Sequence, residues 1–389
     1  MYKIDSYIPT RIVFGLNRLN ELAELKLPGK KALICVTSDD LMKKLGFQDR
    51  VIELLAKNGV EAVVFNGVIP NPTRAGVMAA SALAKESGCD FVIGLGGGSS
   101  IDTAKATAIM MLNEGDLWDY AYTGTGGRKE VTCAAPIITI TTTAGTGTEA
   151  DPYCVITNED TEEKLDFACD ALFPTVSIID PDLMKSLPRE LTIYQGFDAL
   201  FHALECYITN RNENRLIDIY AEDAIRTVAQ WLPVVVEDGS NLEARVKISY
   251  AANILCGYTQ SLCTVTSHHI IAQTIGGIAP SFAHGATLIV VAEEYYKDIK
   301  RFVPELLEDI GVFMGAAPIE GDKGQNFINA LTDMMDATGV RTLAMSDHKI
   351  SKEDCQKITD ITYDVVGIDL DKYTLTKDDI HAIVEKSYR

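Results

Sequence analysis

Short runs of apolar residues rich in Val and Ile recur through the first half of the chain, at 32–37 (ALICVT), 60–68 (VEAVVFNGV), 90–95 (DFVIGL), 135–142 (APIITITT) and 174–180 (PTVSIID). Runs that do not alternate with polar residues predict strands buried on both faces. Between the first three, apolar positions fall at helical spacing over 48–58 and 73–87, and Gly59 and Gly88 follow them as helix C-caps. Strand and helix in alternation predict a parallel sheet covered on both sides. After DPDLMKSLP (180–188) the pattern changes to amphipathic helices such as 241–256 and 376–387, with Pro181 and Pro188 at the junction. The expected organisation is an α/β domain over 1–187 and an all-α domain over 188–389.

Composition changes this picture mainly by exclusion. A chain of 389 residues has room for two or three domains, each with a sizeable core. With 35 Lys+Arg against 55 Asp+Glu the net charge is −20, and no local basic stripe interrupts it, so no nucleic-acid partner is expected. The nine cysteines are scattered, with no C-x-x-C pair, and read as small buried residues in a reducing cytoplasm. No apolar run approaches the roughly 18–20 residues of a membrane span, and MYKIDSYIPTRIVFG lacks the pattern of a secretory signal. A cytoplasmic protein without a membrane partner is expected.

The candidate chemistry divides in the same way. GLGGGSSIDTAKA (94–106) follows a strand and opens a helix; its glycines let backbone approach a ligand, and free N–H groups at a helix start attract a phosphate. Ser99 or Ser100 is the expected cap, and the competing reading is a tight turn. TITTTAGTGTEA (139–150) also follows a strand and offers hydroxyl and backbone donors. The acidic run NEDTEEK (158–164) reads as an exposed turn.

All six histidines lie beyond residue 200. Asp198 and His202 are four apart in a helical stretch, so carboxylate and imidazole share a face; the alternative to a metal pair is a hydrogen bond along the helix. His268, His269 and His284 form a second cluster, broken by Gly276, Gly277 and Pro280 so that two elements can converge. One Asp with three His suits Fe²⁺ or Zn²⁺. His348 and His381 sit in polar surroundings and read as solvated.

These motifs together resemble the iron-containing (group III) alcohol dehydrogenases over nearly the whole chain. PTRIVFG (9–15) is similar to the family's opening strand, GGGSSIDTAK to its glycine loop, TTAGTGTE (142–149) to its second loop, FDALFHALECYIT (197–209) to its D-A-x-x-H-A-x-E-x-Y segment and HHIIAQTIGG with AHG to its double-histidine segment. The resemblance implies a dehydroquinate synthase-like fold, with a Rossmann-like nucleotide domain, a helical metal domain and a nicotinamide cofactor in the cleft between them. It implies Asp198, His202, His269 and His284 as metal ligands, His269 being preferred to His268 because it lies four before Gln273. It places Gly97, Gly98, Ser99, Asp102, Thr142, Thr143 and Lys164 where the family contacts the dinucleotide. Asp39, after the first strand, accepts from a ribose 2′-hydroxyl and repels a 2′-phosphate, which favours NAD over NADP. Gln273 departs from a histidine that many members carry, and it cannot titrate; Thr141 and Thr148 replace Pro and Ser with little expected effect.

The implied activity is hydride transfer between a nicotinamide cofactor and a small primary alcohol or aldehyde, such as butanol or propanediol, with Fe²⁺, or Zn²⁺, as Lewis acid. A homo-oligomer, dimeric or larger, is the expected assembly. Two other readings share the architecture: an NAD-using sugar-phosphate cyclase of the dehydroquinate synthase type, disfavoured by the few Lys and Arg over 189–300, and a non-catalytic metal- and nucleotide-binding relative.

Overall fold

The computed structural model describes residues 2, 4–210, 213–369 and 371–389. Its backbone contacts divide into two compact units, one of Ile8–Ala144 and Thr148–Leu187, the other containing Gly145–Gly147 and Pro188–Arg389.

The first unit is built on eight strands: β1 (Arg11–Phe14), β2 (Lys31–Thr37), β3 (Glu61–Val68), β4 (Phe91–Gly96), β5 (Ile137–Thr141), β6 (Tyr153–Asn158), β7 (Glu163–Ala168) and β8 (Val176–Ile179). Six form a parallel sheet in the order β1-β8-β5-β4-β2-β3, and β6 with β7 makes an antiparallel hairpin. Its helices are α1 (Leu41–Lys44), α2 (Phe47–Lys57), α3 (Arg74–Ser87) and α4 (Gly98–Leu112). Every residue of β4 and β5 is buried, because helices cover both faces, and this is why these strands read as unbroken apolar runs. From β2 the chain runs outward to β3, then returns to β4 and proceeds through β5 toward the other edge. The order therefore reverses between β2 and β4, and the crevice beyond the carboxyl ends of such a pair is where open α/β sheets bind ligands.

The second unit is helical: α5 (Arg189–Asn210), α6 (Arg215–Glu237), α7 (Leu242–Ser249), α8 (Gly257–Leu262), α9 (Ser267–Ile278), α10 (His284–Ile299), α11 (Pro304–Phe313), α12 (Gln325–Thr338), α13 (Asp354–Asp360) and α14 (Lys377–Ser387). Every residue of α5 from Phe197 to Asn210 is buried, so it is the central helix of the unit. The stretch 241–256, expected as one amphipathic helix, instead changes from α7 to a π-helical turn over Tyr250–Cys256. There the Cys256 thiol donates to the Ala199 carbonyl of α5.

Three residues of the hydroxyl-rich loop, Gly145–Gly147, pack with the helical unit. Gln260 Nε2 donates to Thr146 O at 2.9 Å, and a Cβ on Gly147, whose φ is +73°, would stand 2.7 Å from Gly257 N. Only glycine fits there.

Candidate active site

In the helical unit, α5 presents Asp198, His202 and Glu205 at intervals of four and three residues, on one face. Thr266 caps α9 by accepting from His268 N, which puts His268 and His269 in that helix's first turn. The chain leaves α9 after Ile278, passes through Pro280 and starts α10 at His284. Gly276 and Gly277, expected as breaks, lie inside α9; the chain breaks only over 279–283, around Pro280, and there it returns a third imidazole to the same place.

Asp198 Oδ1 stands 3.4 Å from His202 Nδ1, 3.6 Å from His269 Nε2 and 3.8 Å from His284 Nε2. These separations are too long for good hydrogen bonds. Groups ligating one ion at 2.0–2.2 Å stand about 3–3.5 Å from one another, close to what is seen. Among the described residues, Asp198 Oδ1, His202 Nδ1 and His269 Nε2 are buried without a hydrogen-bond partner. Buried polar atoms without partners are costly unless a cation meets them, and Asp198, His269 and His284 each offer a ligand atom within 4.8 Å of the others, with His202 beside Asp198, so the residues fit a divalent metal ion. The cluster is buried on three sides and opens past His284, whose side chain is 23% exposed.

The electrostatics suit the same ion. Burial alone would raise the Asp198 carboxyl, but His202, His269 and His284 hold it well below the usual carboxylate range. Burial pushes His202 down to about 4 against the pull of Asp198, so it is neutral at pH 7. Burial works against protonation of His269 too, but Glu205 and Asp198 outweigh it and raise this imidazole to about 9. A metal bound through His269 at neutral pH would displace a proton from it.

His268 belongs elsewhere. Its ring lies edge-on to Phe201 and stacked on Tyr295, with Nδ1 2.8 Å from Glu205 Oε1 and Nε2 3.0 Å from Leu288 O. Of the neighbouring pair, only His269 turns a nitrogen to Asp198. Sequence reasoning missed Glu205, although an acid at helical spacing from Asp198 and His202 in an otherwise apolar stretch was a signal. His348, expected in solvent, stacks face to face on Phe282 with centroids 3.7 Å apart. His381 Nδ1 lies 3.3 Å from Thr359 Oγ1 rather than in open solvent.

In the sheet unit Asp39, Gly97, Gly98, Ser99, Thr142 and Thr143 follow the carboxyl ends of β2, β4 and β5, whereas Asp102 lies further along α4 and Lys164 in β7. Gly97, not Ser99 or Ser100, is the N-cap of α4; the serines lie in its first turn, and no side chain closes the helix start. A Cβ on Gly94 would stand 2.7 Å from Ile101 Cα, and one on Gly97 would stand 2.9 Å from Thr143 Cγ2, so these glycines let the helix and the second loop close on β4. Thr142 N donates to Gly96 O, joining the two loops. Asp39 is exposed after β2, with Oδ1 accepting from Thr37 Oγ1 and Leu41 N. Asp102 turns its carboxylate inward, accepting from Thr148 Oγ1 and Val155 N. The acidic run is only partly an exposed turn: Asn158, Glu163 and Lys164 are buried as parts of β6 and β7, and Glu163 accepts from Thr125 N and Thr161 Oγ1. Lys164 Nζ donates to Asn71 Oδ1 at 2.8 Å, a partner the sequence did not single out.

The chain matches two family models, "Iron-containing alcohol dehydrogenase" over residues 9–181 and "Fe-containing alcohol dehydrogenase family, C-terminal" over residues 192–388. It is 34% identical to choline dehydrogenase of Bacillus subtilis over 351 residues, 88% of this chain and 85% of the relative. It is 34% identical to 1,3-propanediol dehydrogenase of Klebsiella pneumoniae over 313 residues, 80% of this chain and 79% of the relative. Among solved structures, NADH-dependent butanol dehydrogenase A of Thermotoga maritima superposes with a TM-score of 0.90 at 31% identity, covering 100% of this chain and 99% of that one. None of these relatives favours the cyclase. With both halves of the family matched in order, this protein belongs to the iron-containing alcohol dehydrogenases and is an oxidoreductase.

Proposed function

We propose that the protein oxidises short primary alcohols and diols to aldehydes, and catalyses the reverse, with Fe²⁺ held by Asp198, His202, His269 and His284 and with NAD(H) as the hydride carrier. The observation that carries this reading is Asp198 Oδ1, buried without a hydrogen bond and faced by three imidazole nitrogens. Zn²⁺ would satisfy the same donors. When bound, the ion supplies Lewis acidity toward an alcohol oxygen, and the nicotinamide supplies the ring that accepts hydride.

The chain's own residues supply position and field. Asp198 provides the site's negative charge, and His202, neutral at pH 7, provides a lone pair without adding a proton. The exposed edge of His284 marks the side from which substrate would enter. Gln273, one turn after His269 on α9, can orient a hydroxyl through its amide but cannot exchange a proton, so the alcohol proton leaves by water or by another group.

For the cofactor, we assign the open N–H groups of Gly98 and Ser99 to the pyrophosphate, with Gly97 leaving room for it and with Thr142, Thr143 and Lys164 as further contacts. Asp102 supports them by holding Thr148 and β6 in place. Asp39 favours NAD: its exposed carboxylate accepts from a ribose hydroxyl and opposes a 2′-phosphate. The relatives' named substrates, choline and 1,3-propanediol, support short hydroxylated substrates for this chain.

Anaerobically purified protein should produce NADH from 1-butanol or 1,3-propanediol, lose that activity to a chelator and regain it with Fe²⁺. Turnover that survives complete metal removal would contradict the reading. Asp39→Ser should raise the ratio of kcat/KM for NADP⁺ to that for NAD⁺ on the order of tenfold, the scale of removing one exposed like charge from a phosphate. A homo-oligomer in the cytoplasm is part of the same reading, to be tested by sedimentation and cell fractionation.

A further inference from the structure

Glu205 is fully buried on α5, yet both of its oxygens are engaged. Oε1 lies 2.8 Å from His268 Nδ1 and 2.8 Å from His269 Nδ1. Oε2 accepts from Thr266 N at 2.8 Å and from Thr266 Oγ1 at 2.9 Å. The two imidazole Nδ1 atoms and Thr266 N and Oγ1 converge on this buried carboxyl, a set that favours the anion. A buried carboxylate carries a desolvation cost that an apolar side chain in this slot would avoid.

A neutral imidazole has one N–H and one lone pair, and the partner of the first nitrogen decides which nitrogen keeps the second. An anion beside Nδ1 of His269 keeps the hydrogen there. The proton an ion would displace is therefore the one on Nε2, which leaves the lone pair there, and Nε2 is the nitrogen that faces Asp198 Oδ1 without a hydrogen bond. Thr266, the N-cap of α9, fixes the other carboxylate oxygen to the start of the helix that carries the ring. His268 is held from behind by Leu288 O and packed between Phe201 and Tyr295, and it shares Oε1 with the Tyr296 hydroxyl, which donates at 3.4 Å.

We propose that Glu205 is a positioning residue that sets the tautomer and ring orientation of His269 for the ion. The inference rests on the metal reading above and adds a residue outside the ligand set. A plain structural tether between α5 and α9 would also engage Thr266, but would not need an anion at the Nδ1 of a ligand histidine.

The test uses full-length protein stripped of metal and titrated with Co²⁺ against a competing chelator, with the visible Co²⁺ spectrum as a second readout. Glu205→Gln keeps the shape and removes the charge. Folded E205Q should bind Co²⁺ about 10–100-fold more weakly than wild type, the usual loss when the partner of a ligating histidine is removed, and its spectrum should change. Wild-type affinity and spectrum in folded E205Q would overturn the proposal and leave Glu205 a tether. If E205Q does not fold, Glu205→Asp decides: it keeps the charge but draws it away from His269, so weakened Co²⁺ binding supports the proposal and wild-type binding overturns it. Wild-type protein that takes up no Co²⁺ would overturn the metal reading itself, and this inference with it, a result distinct from any difference between variants.

Discussion

His284→Ala protein should retain no stoichiometric metal and should lose alcohol-dependent NADH formation on the order of 10³-fold or more, the scale of several kcal/mol of Lewis-acid stabilisation. NADH binding should persist, because every proposed nucleotide contact lies in the sheet unit and His284 lies in the helical one. The decisive comparison is His268→Ala. Its ring is fully buried against Phe201 and Tyr295, so truncation should cost about 2–4 kcal/mol of stability through the cavity it leaves. Folded H268A should nevertheless take up metal, since this imidazole faces Glu205 and Leu288 rather than Asp198. Metal analysis of both variants checks the pair, and metal retained by H284A but lost by H268A would reverse the ligand assignment.

Lys105→Met should produce the largest loss of stability in the sheet unit. The Lys105 side chain is 0% exposed, and its Nζ donates to Thr148 Oγ1 at 2.9 Å, Asp151 O at 2.8 Å, Tyr153 O at 2.8 Å and Asp151 Oδ1 at 3.2 Å. Removing one partner of a buried ion pair strands the other, at about 3–5 kcal/mol. For a unit of this size that is on the order of 10 °C in melting temperature. The effect should depend on pH. Burial raises Asp102 from 3.8 to about 7 and Asp151 from 3.8 to about 6, with Lys105 pulling both the other way. A carboxyl raised above its unfolded value contributes stability that is fully present below 3.8 and is lost as pH rises through 6 to 7. Without the lysine that loss deepens, so the gap between wild-type and K105M melting temperatures should widen between pH 4 and pH 8. A gap that stays constant, or narrows, would mean that the lysine does not hold these carboxylates.

Lys105 also shows where reading along the chain stops. The pattern of GLGGGSSIDTAKA identifies a helix after a glycine turn, and that helix is α4. Nothing local says that its lysine is buried, because the partners come from the segment 148–153, more than forty residues further on. The hairpin β6–β7 was missed for a related reason: NEDTEEK is polar enough to read as solvent-facing, and only the long-range contacts of Glu163 and Lys164 bury it. In contrast β2, β4 and β5 were legible because a strand covered on both faces is apolar at most positions, and the polar ones it keeps, such as Thr139 and Thr141 of β5, are small and buried.

What the sequence determined by itself was local and periodic: the parallel strands, the glycine turn at the start of α4, and the shared face of Asp198 and His202 on α5, each set by spacing over a few residues. The resemblance of its motifs added the family. Only the tertiary structure decided which of two adjacent histidines faces Asp198, because a helix turns consecutive side chains about 100° apart and the packing of His268 against Phe201 and Tyr295 selects the rotation. It also decided that Glu205 stands behind His269, and that His284 returns to Asp198 across the break at Pro280. These contacts join α5, α9 and α10, and their geometry depends on how three helices pack rather than on the spacing within any one of them.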